Sequence, residues 1–413
     1  MMKQMMLTTL ALVMAGGMAA QNGLITKAEV AMNEGKLDMA ETTINEALAS
    51  GKTKDMVKAH LVLGNIKVRQ ASADVDLAVK KQPFDTVAFY DKLMGALNGF
   101  EQSYKLDNTP DEKGRVKAKH LAEQAKGVKS IATYFVYAGQ WFNASKDFAR
   151  AFKAFKAYGD IFDSPVLSAE REALKAGAAE TLTDVNFYAV IMASQAKDYA
   201  GVLEVVDRSL AAGEHLNELY MFKLNAQEKL GKTVERVETL KEAMERVADN
   251  MPYINELIGY YSEQGDSAAV RKLGNDLVSS SPNTATPLLV RAVTINQNFF
   301  KDNVAAREDL NKVLEIEPNN AKALASVAIV IYNDVLDLTS KMTTDSRSKA
   351  YQQAKAVIRT RCEEALPYAE KARANAPDEP KIWANILRNL YYELGQNDKG
   401  KEMTELLNTL TSK

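Results

Sequence analysis

The stretch Asp302–Asn320, DNVAAREDLNKVLEIEPNN, carries the pattern that decides the fold. Ala306 is followed by Leu310 after four residues and by Val313 after three more, so the three side chains share one face of an α-helix. Pro318 comes five residues later and predicts the end of that helix. The stretch therefore predicts an amphipathic helix that buries one small and two larger apolar residues.

The same ladder of spacings recurs along the chain. It is found in Ala40–Ile44–Ala47, Ala96–Phe100–Ser103, Ala144–Phe148–Ala151 and Ala365–Ala369–Ala372. A turn residue is expected five positions before a ladder, and Gly35 and Gly139 fill that place. Gly231 and Gly265 lie 34 residues apart, with Lys197 another 34 residues upstream. The pattern predicts a repeated unit of helix, turn and helix.

These residues resemble the tetratricopeptide repeat (TPR), whose second helix carries Ala, a large apolar residue, Ala and Pro after a turn Gly. The resemblance covers nearly all of the chain after residue 20, at roughly eight or nine repeats, with Lys in the turn place at Lys197 and Lys301. It implies an all-α fold, a solenoid of stacked antiparallel helix pairs. The tail from Ala365, with ALPY, APD and LYYELGQNDK, is similar to the end of exported Bacteroidetes-type repeat proteins.

Three regions depart from the period. Surplus residues in 56–106 and 334–360 predict pairs with lengthened helices, the second with its turn at 343–348, and 111–138 predicts one overlong first helix. The segment 159–165, GDIFDSP, is the best candidate for a break between two sub-arrays. We expect lengthened TPR-like repeats over 21–158 and a C-terminal TPR array over 166–413.

Residues 1–20, MMKQMMLTTLALVMAGGMAA, have the order of a signal peptide: Lys3, an apolar run and then small residues. The run is too short to span a bilayer, and no transmembrane segment is expected elsewhere. We expect an exported protein, periplasmic or secreted. The balance of 52 basic and 54 acidic residues gives no reason to expect nucleic acid as a partner.

No pattern in the chain specifies chemistry. The three His residues lack metal-ligand spacing, and Gly-Lys-Thr at 51–53 and 231–233 lacks the earlier Gly of a phosphate-binding loop. Cys362 is expected to be a structural thiol, although two nearby Arg could lower its pKa. We therefore predict no catalytic residue, cofactor or metal, and no enzyme. The aromatic residues around Trp141 are interpreted mainly as core, with a sugar- or peptide-binding surface as the alternative.

The first helices of stacked pairs line a concave face, which commonly binds extended peptides or helices. Repeat phase places a set of side chains there: Phe187, Met221, Asn225, Asn255, Arg291, Asn298, Tyr332 and Asn389. The favoured hypothesis is a protein-interaction scaffold of the bacterial cell envelope, with peripheral attachment to the outer membrane through a partner. The alternative is a solute- or glycan-binding protein on the same frame. A groove with an apolar floor would favour the first, and a stacked aromatic platform the second.

Overall fold

A computed structural model describes residues 23–50, 53–248 and 250–411. The described residues are helical and contain no strand, as the ladders predict. The predicted signal peptide, residues 1–20, lies outside the described residues. The helices are α1 (23–33), α2 (Leu37–Ala49), α3 (Met56–Val79), α4 (Thr86–Asp107), α5 (Leu121–Ala144), α6 (Phe148–Ile161), α7 (Arg171–Gly177), α8 (Ala179–Gln195), α9 (Tyr199–Leu210), α10 (Leu216–Lys229), α11 (Thr233–Arg246), α12 (Met251–Glu263), α13 (Ser267–Ser280), α14 (Ala285–Val290, continued as a π-helix over Arg291–Phe299), α15 (Asn303–Ile316), α16 (Ala321–Lys341), α17 (Lys349–Asn375), α18 (Pro380–Glu393) and α19 (Asn397–Thr411).

The helices form two compact units, Met1–Asn250 and Met251–Lys413. Within each unit, consecutive helices pack against one another, α3 on α4 and α5 on α6 in the first, α16 on α17 and α18 on α19 in the second. Each unit is therefore a TPR-like α-solenoid of stacked helix pairs. The division at Asn250 differs from the predicted break at 159–165, because α6 runs into that segment and packs against α8 inside the first unit.

The ladder residues form the core. Ala306, Leu310 and Val313 of α15 are fully buried. Three other ladders are equally buried: Ala40–Ile44–Ala47, Ala96–Phe100–Ser103 and Ala365–Ala369–Ala372. The small residues let neighbouring helices approach and the large ones fill the remaining space, so the 4-3 spacing is confirmed in these four helices.

The ladder predicted at Ala144 is wrong in register. Ala144 is exposed at the end of α5, and the turn is formed by Lys146 instead of Gly139. The chain keeps the same spacing seven residues later in α6, where the buried ladder is Ala151–Phe155–Tyr158. The register is wrong because Gly139 has the spacing of a turn residue but lies inside α5.

Gly139 is glycine because of a close approach. The ring of Phe155 lies against its backbone so closely that an added Cβ would be 2.4 Å from Cε1 of the ring. Both residues are buried. The missing side chain therefore lets α5 and α6 pack together.

Each tight turn between two helices contains one residue in the left-handed region. At positions 146, 197 and 301 this residue is Lys instead of Gly. Lys146, Lys197 and Lys301 have φ of 63°, 58° and 57°, which confirms the substitution predicted at 197 and 301. Asp147, the next residue after Lys146, has two roles: its N–H donates to the carbonyl of Phe142 at 2.8 Å, and its carboxylate accepts from the N–H of Arg150 at 3.1 Å. One residue thus ends α5 and caps α6.

The lengthened pairs are confirmed. Helices α3 and α4 have 24 and 22 residues, and α16 and α17 are joined by the predicted polar segment. The prediction of one helix over 111–138 is wrong before residue 121. The Asp111 carboxylate accepts the N–H groups of Lys113 and Arg115, and the Asp107 carboxylate accepts that of His120 at 2.7 Å. These side-chain hydrogen bonds stabilise a turn in place of the first helical turns.

Among the described residues, α16 is long and apolar enough to cross a membrane by length and composition alone. Half of its most apolar window is buried within the protein, where it packs against α15, α17 and α18. This packing accounts for its apolar composition, because a core helix satisfies the same test.

Candidate functional site

An open cavity of about 420 Å³ lies on the first helices of the second unit. It is lined by residues from four elements: Met251 of α12, Thr286, Leu289 and Val290 of α14, Val293 and Thr294 of the π-helix, Lys322, Ala325, Ser326 and Ile329 of α16, and Ile382 of α18. We call this cavity the central groove. It has the position that repeat phase predicts for a binding surface, along successive first helices of a stack.

The floor of the central groove follows from helical spacing. On α16, Ala325 and Ile329 are four residues apart, and on α14 and its continuation so are Leu289 and Val293. Each pair therefore shares one face of its helix. Leu289, Val293 and Ile329 are partly buried and pack against the core of the unit. The floor is thus apolar and supported from beneath by close-packed side chains.

One charged group lies at the groove. Lys322 is exposed at the start of α16, and among the described residues no carboxylate pairs with it. Hydroxyl groups complete the lining, and Ser326 is the most buried of them, at 9% exposed. The groove therefore offers apolar surface, hydroxyl groups and a single cation.

One wall of the groove is held by an ionic network behind it. The Arg291 guanidinium donates two hydrogen bonds to Asp309, from Nε at 2.8 Å and Nη2 at 2.6 Å. Asn296 Nδ2 donates a third at 3.0 Å, and the Asp309 side chain is only 5% exposed. Hydrogen bonding to Asp309 also raises the pKa of Arg291. Arg291 and Asn296 are five residues apart, and the π-helix brings residues at that separation together.

Arg291, which repeat phase places on the concave face, is thus bonded to Asp309, and a role in partner binding stays a prediction for it. None of the eight predicted residues is among those lining the central groove. Four of them are exposed on their helices: Met221, Asn225, Asn255 and Asn298. Whether these four contact a partner stays a prediction.

The remaining three predicted residues are half-buried. The ring of Phe187 stacks on that of His215, with centroids 4.1 Å apart. Tyr332 packs against the core of the second unit, and burial raises its pKa. Asn389 Oδ1 accepts from the guanidinium of Arg388, with Nη2 at 3.0 Å. These local contacts occupy each side chain, and a role in partner binding stays a prediction for them too.

The aromatic residues around Trp141 form a cluster of inclined rings. Trp141 lies 4.7 Å from Phe84 at 71° and 5.1 Å from Phe89 at 63°, while Tyr137 lies 6.0 Å away at 38°. Phe142, Phe152, Phe155 and Tyr158 are buried, which confirms the core interpretation for these four. Phe84 and Phe89 meet Trp141 edge to face and Tyr137 is tilted against it, so these rings do not form a flat platform.

The thiol of Cys362 is buried, and burial raises its pKa to about 11. This burial agrees with the structural thiol expected for Cys362, and the two nearby Arg side chains are each bonded to a carboxylate. Arg359 is bonded to Glu363 at 2.9 Å, and Arg361 to Glu364 at 2.8 Å. Within the described ranges no group of three or more His, Cys, Asp or Glu residues is placed to hold a metal ion.

No family model matches the sequence, and none of the curated proteins matches it. Among solved structures it is similar to a TPR repeats protein from Bacteroides fragilis, at 15% identity over 67% of this chain and 98% of that one, with a TM-score of 0.33. The C-terminal part of a TPR repeat-containing protein from Cytophaga hutchinsonii gives 12% identity, 65% and 92% coverage and a TM-score of 0.33. Yeast Tom70 is 13% identical over 94% of this chain and 96% of its own, with a TM-score of 0.26. The Bacteroides and Cytophaga neighbours are TPR proteins, and at such scores the likeness says nothing about activity or partner.

Proposed function

We propose that this protein is a non-enzymatic protein-interaction scaffold whose central groove binds a short segment of a partner protein. The observation that carries the proposal is the apolar floor that α14, its π-helical continuation and α16 build in a cavity along the first helices of one unit. Partner-binding surfaces combine a desolvated apolar centre with a polar rim. Leu289, Val293 and Ile329 supply the centre, and Lys322 with the hydroxyl groups supplies the rim.

The groove chemistry specifies the kind of segment. A volume of about 420 Å³ accommodates a few aliphatic side chains of a helical or extended peptide. Lys322 favours a carboxylate beside those anchors and disfavours a basic residue there. The lining contains no aromatic ring, so a sugar would find no stacking surface in this groove. The alternative of glycan or solute binding is therefore less well supported than protein binding.

The proposal includes a location. The order of residues 1–20 supports export to the bacterial cell envelope, and the tail resembles that of exported Bacteroidetes-type proteins. A partner would then hold the protein at the outer membrane. Recovery of the expressed chain from the periplasm with Gln21 as its first residue would support export, and retention of Met1 in the cytoplasm would contradict it.

Site-specific crosslinking tests the groove. A photoreactive amino acid is placed at Ile329 in the groove, and at Val304 on α15 as the matched control, since Val304 is 73% exposed and outside the groove lining. We expect a discrete adduct with one partner protein from Ile329 and none from Val304. The Ile329→Asp change should abolish capture, whereas Val304→Asp should not. Equal adducts from both positions, or none from either, would contradict the proposal.

A further inference from the structure

The first helix pair exposes an apolar surface at the end of its stack. Val30 and Met39 are 50% and 51% exposed. Between α1 and α2 lies a cavity of about 320 Å³, lined by Thr26, Lys27, Val30, Ala31, Glu34, Met39 and Thr43. We call this surface the α1–α2 face. The terminal repeat of a solenoid normally carries a polar outer face. In the described part of α19, at the other end of the chain, no large apolar side chain is exposed to this extent.

Thr43, Lys27 and Glu34 supply polar groups on the α1–α2 face. Thr43 donates its hydroxyl to the carbonyl of Met39 at 2.7 Å, so its hydrogen-bonding capacity is spent on its own helix. Among the described residues no carboxylate pairs with Lys27. Glu34 contacts Lys36 at 2.8 Å, with both side chains at least half exposed, and such a pair contributes little stability.

Two charged residues of the α1–α2 face, Lys27 on α1 and Glu34 directly after it, are arranged symmetrically. Lys27 and Glu34 are seven residues apart, which is close to two helical turns, so both lie on the side that carries Val30. If two copies of α1 cross antiparallel about a two-fold axis that passes between residues 30 and 31, residue 27 of each copy faces residue 34 of the other. Each Lys27 then meets a Glu34, and the two Val30 side chains meet at the axis.

We propose that the α1–α2 face is a dimer interface, and that its occupant is a second copy of this chain. A two-fold interface must be complementary to itself, with residue i contacting j and j contacting i. The single Lys and single Glu, placed symmetrically about an exposed Val, satisfy that condition. The Met39 side chains would cover the apolar cavities of the opposite copies. The interface residues belong to the first unit and the central-groove residues to the second, so the two surfaces share no residue.

Sedimentation velocity on the purified chain tests the dimer over protein concentrations from about 1 to 100 µM, since a weak interface dissociates within that range. The wild-type chain is expected to dimerise. Val30→Lys should leave it monomeric, because it puts two cations at the axis. Val304→Lys is the matched control, since Val304 is still more exposed and lies on another helix, and it should leave the dimer intact.

Charge exchange gives the sharper measurement. Lys27→Glu and Glu34→Lys should each weaken self-association at least tenfold, since each places like charges opposite one another twice. An equimolar mixture of the two single variants should associate more tightly than either variant alone, and the double variant should recover wild-type behaviour. A wild-type chain that stays monomeric, including one whose residues 1–22 cover the face, overturns the proposal. So does a mixture that associates no better than its components. Neither result bears on the central groove, because no partner protein is present.

Discussion

Replacing Gly139 by Ala should destabilise the first unit, although the same change usually stabilises a helix interior. The added Cβ would lie 2.4, 2.5 and 2.7 Å from three ring carbons of Phe155, where ordinary contacts are about 3.5–4.0 Å. The ring would have to withdraw by about 1 Å, and it is 3% exposed with little free space around it. Overpacking of this kind costs about 1–3 kcal/mol, against about 0.5–1 kcal/mol gained by Ala over Gly. We therefore expect a net loss of up to about 2.5 kcal/mol in the free energy of unfolding.

Urea unfolding followed by far-ultraviolet circular dichroism measures this loss. Gly95→Ala in α4 is the matched control, because the three atoms nearest to its Cβ would belong to the Lys67 side chain, each at the ordinary contact distance of 3.4 Å. We expect that change to stabilise the same unit by about 0.5–1 kcal/mol. In a Phe155→Leu background, Gly139→Ala should lose most of its penalty, since the ring that it displaces is gone. If Gly139→Ala stabilised the protein as much as Gly95→Ala does, the close approach of α5 and α6 would be refuted.

Three further results are expected. Ala306→Leu should cost about 1–3 kcal/mol by overpacking the fully buried ladder of α15, and an unchanged thermal melt would count against the repeat register. Asp309→Asn should cost about 3 kcal/mol in denaturant unfolding, because it leaves Arg291 and Asn296 without their ionised acceptor, and a change within error would show that the network is not stabilising. The native Cys362 thiol should resist labelling that is rapid in denaturant. Folding raises the pKa of the Cys362 thiol to about 11. The neutral buried thiol therefore adds its full contribution to the free energy of unfolding below about pH 8.5, and this contribution is lost as the pH rises towards 11.

The helix pairs could be predicted because the ladders specify burial directly. The spacing of four and then three residues predicts the ladders that begin at Ala40, Ala96, Ala306 and Ala365, and their residues are fully buried. The ladder predicted from Ala144 is wrong because glycine has two roles in this chain. Gly35 forms a left-handed turn, whereas Gly139 allows close packing of helices. A better signal was present in the sequence. Lys146–Asp147 repeats the dipeptides Lys197–Asp198 and Lys301–Asp302, and in each case Asp caps the next helix.

The central groove was harder to predict than the fold. Repeat phase assumes α-helical geometry throughout. It placed five of the eight predicted residues on helices that line the central groove and none among the lining side chains. The π-helix over Arg291–Phe299 breaks that assumption, and it directs Arg291 to Asp309. The paired apolar residues Leu289–Val293 and Ala325–Ile329 lie outside the ladders at helical spacing, and they were the available sequence signal.

The double role of Asp147 limits where this chain can change its length. Since one residue both ends α5 and begins α6, an inserted residue there would remove a helix end or a cap and shift the phase of every later repeat. The lengthened pairs are connected differently. After α3 and after α16 the end of one helix and the cap of the next are separated, by 80–85 and 342–348, with Asp85 and Ser348 as caps. These two hairpin tips are where a solenoid of this kind can grow during evolution, and where a fluorescent protein or epitope could be inserted with the flanking repeats left in register.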